Sequence, residues 1–369
     1  MTSVNSVLQE ESIRHALQLQ GYSNQIVRKI MAVLGRSDER LTAELALALE
    51  RLDRASFTVE RLEALLYGVR SVNAEAYKLM GVELTEQLRS FVQYEAAYQA
   101  QSLQAVLPAV VRVAAIDVGV TYAAAMARPF QGILLKGALD DLAEGKAKKI
   151  RQAIAQGFVE GKTTSQIVRE LRGTKARGYE DGLLARDRRD IEAVARTALG
   201  HMAGFTQDRF VEANTDIIKA VKWLSTIDLR VSKICLIRDG KQYTPDTHKP
   251  IGHSIPWLSG PGRAHWRCRS HQTYVLRSNK ELGIDAPEIV MANGSRASLD
   301  GQIGSDIKLP EWAKNQSAAR QDALFGPARG RLLREGGLDV PDLYSSKGVF
   351  LDLETLRKQD TEAFRRAGL

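Results

Sequence analysis

Over the first 100 residues apolar side chains recur close to every 3.6 positions. Leu41, Leu45, Ala48, Leu49 and Leu52 form one stripe, and Leu62, Leu65, Leu66, Val69 and Val72 form another. Such stripes predict amphipathic helices that need partner helices to cover them. Residues 1–131 are therefore expected to form a helical bundle or a helical arm. Residues 105–127 are the most apolar stretch and are long enough to span a bilayer. Arg112 and Asp117 fall inside it, and each costs about 2.5–3.5 kcal/mol at a membrane centre. A buried or subunit-contacting helix is expected there, and no stable membrane anchor. Residues 132–160 are weakly amphipathic, with a basic run at Lys146, Lys148, Lys149 and Arg151. Thr163 and Gln166 have capping-box spacing, and Gly173 is placed to stop the helix they open. Residues 174–186 read as loop. A further helix is expected over 188–213, with Ile191, Val194, Ala198, Met202 and Phe205 on one face.

After Asn214 the period changes. Residues 219–224, 231–237 and 241–243 read as strands, and Asp239-Gly240 is a hairpin signal because a tight turn needs positive φ where glycine is unstrained. Residues 244–262 form a long loop rich in Pro and Gly. Arg263 to His271 then alternates. Read as a strand, it turns Trp266 and Cys268 to one face and Arg267, Arg269 and His271 to the other. Two of the ten prolines precede residue 221 and eight follow. The expected class is α+β: a mainly helical part over 1–131, a module of helices then strands over 132–280 whose strands lie in 221–280, and a C-terminal extension of short helices over 281–369.

Charge sharpens this picture. The 369-residue chain has a net charge of +8, and residues 221–280 alone carry 11 basic and 3 acidic side chains. That segment also holds both cysteines and four of the six histidines. Lys241, Arg263, Arg267, Arg269 and His271 are the candidate binding residues of a cationic row. Such a row suits DNA phosphate, with positioning contacts that read no sequence, or a carboxylate-lined protein groove. A solvated basic face without a partner fits the same count. Trp257 and Trp266 are placed either to stack bases or to anchor a small core. Two cysteines in this length exclude a disulfide-stapled scaffold and fit a reducing compartment. No signal peptide is expected, because no basic start followed by an apolar run opens the chain.

Cys235, His265 and Cys268 are candidate zinc ligands, with Asp228, His248 or His253 as a fourth. Only His265 and Cys268 form a short pair. The alternative is two small buried thiols and a hydrogen-bonded turn histidine. No zinc-deaminase pattern, G-x-S-x-G, H-E-x-x-H or Walker A motif is present, so no other cofactor and no enzyme class is indicated. A Cys235/His265 nucleophile pair, or a nuclease on His265 with Asp228 or Asp239, keeps a DNA- or nucleotide-modifying enzyme open as an alternative. A membrane-active ejection protein using residues 105–127 is a third.

Several ordered blocks carry a resemblance. They are Asp190-Ile191 through Arg196-Thr197, Lys222-Trp223-Leu224-Ser225-Thr226, Asp228-Leu229-Arg230, Cys235, Asp239-Gly240-Lys241, Tyr243 and Arg263-Ala264-His265-Trp266-Arg267-Cys268-Arg269. Together they resemble the phage Mu F-like head morphogenesis domain of tailed-phage minor head proteins. That domain usually closes on Pro-Pro-x-His-x-x-Cys-Arg-Cys, and this chain departs from it at Gly262-Arg263 and at Ser270. Blocks at 296–302, 311–338 and 353–357 resemble the C-terminal extension of such proteins. The resemblance implies a non-enzymatic virion protein, in several copies near the portal inside the capsid and made in the host cytoplasm. Its implied partners are the portal protein, other internal head proteins and genomic double-stranded DNA. Trp223, Asp228, Cys235, Asp239, Gly240, His265, Trp266 and Cys268 would then be structural residues of the module.

Overall fold

The computed structural model describes residues 2–51, 59–285, 287, 290–291 and 294–369. In chain order the elements are β1 (Thr2–Ser3), α1 (Val4–Glu50), α2 (Val59–Gln104), α3 (Val118–Met126), α4 (Leu135–Val159), α5 (Thr164–Arg172) and α6 (Leu183–Ala213). Then follow β2 (Ile218–Leu224), α7 (Lys233–Leu236), β3 (Gln242–Tyr243), β4 (Pro250–Ile251), β5 (His271–Leu276), β6 (Val290–Met291), β7 (Ser295–Ser298) and β8 (Gly301–Gly304). Five short helices close the chain: α8 (Leu309–Lys314), α9 (Ala318–Phe325), α10 (Pro327–Arg334), α11 (Leu353–Gln359) and α12 (Thr361–Arg366). The class is α+β, mainly helical toward the N-terminus with a small antiparallel sheet.

Two compact units form, and neither follows the boundaries at 131 and 280. One comprises residues 20–91 and 122–199. Its core joins the expected stripes: Leu41, Leu45 and Leu49 pack with Leu66, Val69 and Val72 against Ile150 and Ile154 of α4 and Ile167 and Leu171 of α5. Leu52 lies outside the described residues, as do the side chains of Leu62 and Leu65. Within this core the Asp38 carboxylate accepts from buried Lys146 at 2.6 Å and from Arg188 Nη2 at 2.9 Å. The α5 capping box is present. Thr163 Oγ1 accepts from the Gln166 amide, and Gln166 Oε1 accepts from the Thr163 amide at 2.7 Å. Gly173 ends α5 at φ +88°, and a Cβ there would meet the Gly182 amide nitrogen at 2.7 Å.

The other unit comprises residues 1–19, 92–121 and 200–369. Its centre is a four-stranded antiparallel sheet in the order β4-β3-β2-β5. β2 is buried along most of its length, with Val221 opposite Tyr243 on one side and Tyr274 on the other. Trp223, Tyr243 and Trp257 make an aromatic cluster with ring centroids 4.8–5.3 Å apart. The C-terminal helices belong to the same core. Leu309, Trp312, Leu324, Phe325, Leu332 and Phe364 pack with Phe210, Trp223 and Leu236. The short helices of the C-terminal extension thus cover their apolar faces in the same core as the sheet.

The apolar stretch 105–127 is not one helix. Only Val118–Met126 is helical, and the residues before it run as turns and extended chain, where Asn214 brackets Ala114 by accepting from its amide and donating to its carbonyl. Among the described residues no helix is long and apolar enough to cross a membrane.

Candidate functional site

The residues of the basic module take their positions from β2 and the turn that follows α7. The Trp223 amide donates to the Lys241 carbonyl and the Gly240 amide to the Trp223 carbonyl, which pins the turn to the strand. Gly240 sits at φ +76°, the conformation the Asp239-Gly240 signal required, although α7 rather than a strand leads into it. Asp239 is wholly buried. Its carboxylate accepts from the Ser225 amide at 2.8 Å, the Leu309 amide at 2.7 Å and both terminal nitrogens of Arg296 at 2.9 and 3.0 Å. Arg296 donates in addition to the carbonyls of Ser225 and Ile307. One ion pair thereby ties β2, the turn, β7 and the start of α8 together.

The expected strand over 231–237 is instead α7. Ser232 caps it, its hydroxyl accepting from the Cys235 amide at 3.1 Å. The apolar run Ile234–Ile237 resembles a strand, but the cap decides the local conformation. The expected strand over 263–271 is also corrected: residues 263–267 are turns and bends, 268–270 form no regular element, and β5 begins only at His271. Arg267 takes a left-handed φ of +56°, and the Cys268 amide donates to the His265 carbonyl. This tight turn destroys the alternation. Trp266 is 43% exposed rather than a core anchor, whereas Trp257 is buried.

The cationic row disperses for the same reason. Arg263 donates to Asp208 at 2.5 Å. Arg269 holds Asp228 with two bonds of 2.5 and 2.8 Å. His271 has both ring nitrogens buried and unpartnered, and burial pushes it down to about 3, with the Arg296 charge adding to the shift. It is neutral at physiological pH. Arg263 and Arg269 are therefore each engaged by an acid and His271 is buried, rather than all standing free on one strand face.

What the turn does assemble is a sulfur–nitrogen cluster. Cys235 Sγ lies 3.6 Å from Cys268 Sγ and 3.2 Å from His265 Nε2. Ser232 Oγ is 2.8 Å from the same nitrogen, and His265 Nδ1 is 2.9 Å from the Trp266 carbonyl oxygen. The hydrogen bond between the two thiols draws Cys268 well below the ordinary thiol range and pushes Cys235 well above it. Burial pulls the His265 imidazole down, but the bond and charge of Cys268 outweigh it and the net shift is upward. None of the three suggested fourth ligands joins the cluster. Asp228 is held by Arg269. His248 stacks on Trp257 with centroids 4.6 Å apart, and His253 Nε2 lies 2.9 Å from the Gln242 carbonyl oxygen.

No family model, curated protein or solved structure matches this chain.

A second charged group emerges that spacing along the chain did not reveal. Lys222 on β2, Lys241 beside β3 and Lys308 before α8 lie near one another around Gly240. Burial lowers Lys222 most; Asp239 opposes that shift, while Lys308 and Arg296 add to it. Burial and the Lys308 charge likewise lower Lys241. Lys241 was legible as a candidate, but Lys222, Lys308 and the buried Arg296 were not, because they meet only through the fold. The one signal for the thiol site that the sequence did offer and the strand pattern hid is Ser232-x-x-Cys235, an N-cap spacing.

Proposed function

We propose that this chain is a minor head protein of a tailed phage. It sits near the portal inside the capsid and acts in head assembly and in the association or delivery of packaged DNA. One observation carries the reading. Of the residues that resemble the head morphogenesis domain, those over 222–269 lie in one folded unit and are spent on holding it together, while those over 190–197 lie in the other. Asp239 and Gly240 fix the turn, Trp223 fills the core, Asp228 pins Arg269, and Cys235, His265 and Cys268 meet at one point. A shared motif committed to folding suits a module whose task is to present a surface during assembly.

Contact with DNA is assigned to Lys222, Lys241 and Lys308 rather than to the arginine row. The Lys308 charge adds to the burial that lowers both Lys222 and Lys241, and a phosphate beside them relieves that repulsion. Each phosphate contact releases counterions, so the slope of log K against log salt changes by about 0.9 per contact on duplex DNA. The test is filter retention of the purified protein on unrelated duplexes over a range of salt. Replacing all three lysines by Gln lowers affinity on every sequence alike and flattens the slope by up to about 2.7. An unchanged slope removes this patch from the DNA-facing role. Co-expression with the portal protein tests the other half: co-purification with the portal ring is expected, and its failure counts against portal attachment.

A further inference from the structure

The thiol cluster supports an inference that does not depend on where the protein acts. The ligand atoms of Cys235, His265 and Cys268 all lie within 4.8 Å of one another, the one such group among the described residues. Tetrahedral zinc, with Zn–S of about 2.3 Å and Zn–N of about 2.0–2.1 Å, sets its sulfurs about 3.8 Å apart and sulfur from nitrogen about 3.5 Å. The observed 3.6 and 3.2 Å fall within a few tenths of those separations. A disulfide needs about 2.05 Å, and both cysteines are free.

The surroundings suit a ligand set. The Trp266 carbonyl accepts from the His265 ring at Nδ1, which leaves the Nε2 lone pair facing Cys235 Sγ. Fixing the imidazole through its second nitrogen is how metal-binding histidines are oriented. The left-handed Arg267 closes His265-x-x-Cys268 into a turn that delivers two ligands from one loop. α7 delivers the third, and its Ser232 cap and the bond from Ser225 Oγ to the Cys235 carbonyl hold that residue in place.

We propose that Cys235, His265 and Cys268 bind one zinc ion, with water in the fourth position, as a structural cross-link between α7 and the 265–268 turn. Two thiolates and an imidazole select a borderline-soft ion over magnesium or calcium. The cross-link compensates for a loop that has no strand ladder to hold it. Asp228 is already occupied by Arg269, so no carboxylate of that pair is free to act as a base at the metal-bound water.

The test uses the full chain, purified in reducing buffer without chelator and analysed for metal content. One zinc per chain is expected. Chelation lowers the melting temperature and added zinc restores it, and cobalt loading gives thiolate-to-cobalt charge-transfer absorption. Cys235→Ser, Cys268→Ser and His265→Gln each reduce zinc content at least about tenfold, while Val349→Ala at an exposed position leaves it unchanged. If a ligand variant fails to fold, the chelation and cobalt measurements on the unsubstituted protein decide alone. Absence of stoichiometric zinc uptake by the reduced protein, or full uptake by Cys268→Ser, overturns the proposal.

Discussion

Replacing Asp239 by Ala removes the acceptor at the centre of the sheet unit. The Asp239 side chain is wholly buried and that of Arg296 only 3% exposed. Four donor nitrogens within 3.0 Å lose this acceptor: two from Arg296, which keep the carbonyls of Ile307 and Ser225, and the amides of Ser225 and Leu309. Breaking a buried pair by deleting one member costs about 3–5 kcal/mol, because the other charge stays desolvated. For a domain of 150–250 residues each kcal/mol lowers the melting temperature by about 2–4 °C. The expected fall is therefore about 6–20 °C, read by circular dichroism on heating and by urea denaturation. A second substitution sharpens the argument. Arg296→Met added to Asp239→Ala removes the stranded charge, so the double variant loses less than the two single losses added together. A single-variant loss below about 1 kcal/mol, or strict additivity, would refute the claim that this pair locks β2, the turn, β7 and α8 together.

Other outcomes follow from the same unit. In Gly200→Ala a Cβ would stand 2.6 Å from the Gly262 carbonyl oxygen, so the backbone must shift. Overpacking of about 1–3 kcal/mol outweighs the helix-propensity gain of about 1 kcal/mol from replacing glycine; a melting temperature equal to or above that of the parent would contradict the close approach. His271 is held neutral, down at about 3, by burial and by the charges of Arg296 and His15. The unfolded chain takes up the proton that the folded chain refuses, so stability falls as pH drops from about 6.5 toward about 3. Urea midpoints across that window should flatten in His271→Gln, and an unaltered pH dependence would remove this group from the acid response.

What the sequence made legible was local. The capping box at Thr163 and Gln166, the stop at Gly173 and the stripes on α1 and α2 need only neighbours within a few residues, and each is present. The strand at 219–224 was also readable, because its apolar residues coincide with the buried positions of β2 and its two lysines with the less buried ones. Two expected strands are absent, each for its own local reason. In Lys233–Leu236 a side-chain cap outweighs β-branched composition, and in 263–270 a left-handed residue bends a chain whose alternation looked extended. The arginines then went to distant acids rather than to one face, since Asp208 and Asp228 lie 55 and 41 positions away. Asp239 was legible as a turn residue but not as the partner of Arg296, 57 positions on. The metal-binding set was visible as three residues of the right chemistry; only the fold shows that they meet.

The central claim is that this chain works inside a phage head beside the portal. It is tested most directly by an asymmetric reconstruction of purified phage particles, combined with protein quantification of the same sample. The account expects the chain in the particle in far fewer copies than the major shell protein, with density for the unit that contains residues 200–369 at the portal vertex. Particles that lack the chain, or density spread evenly over the shell, would contradict it.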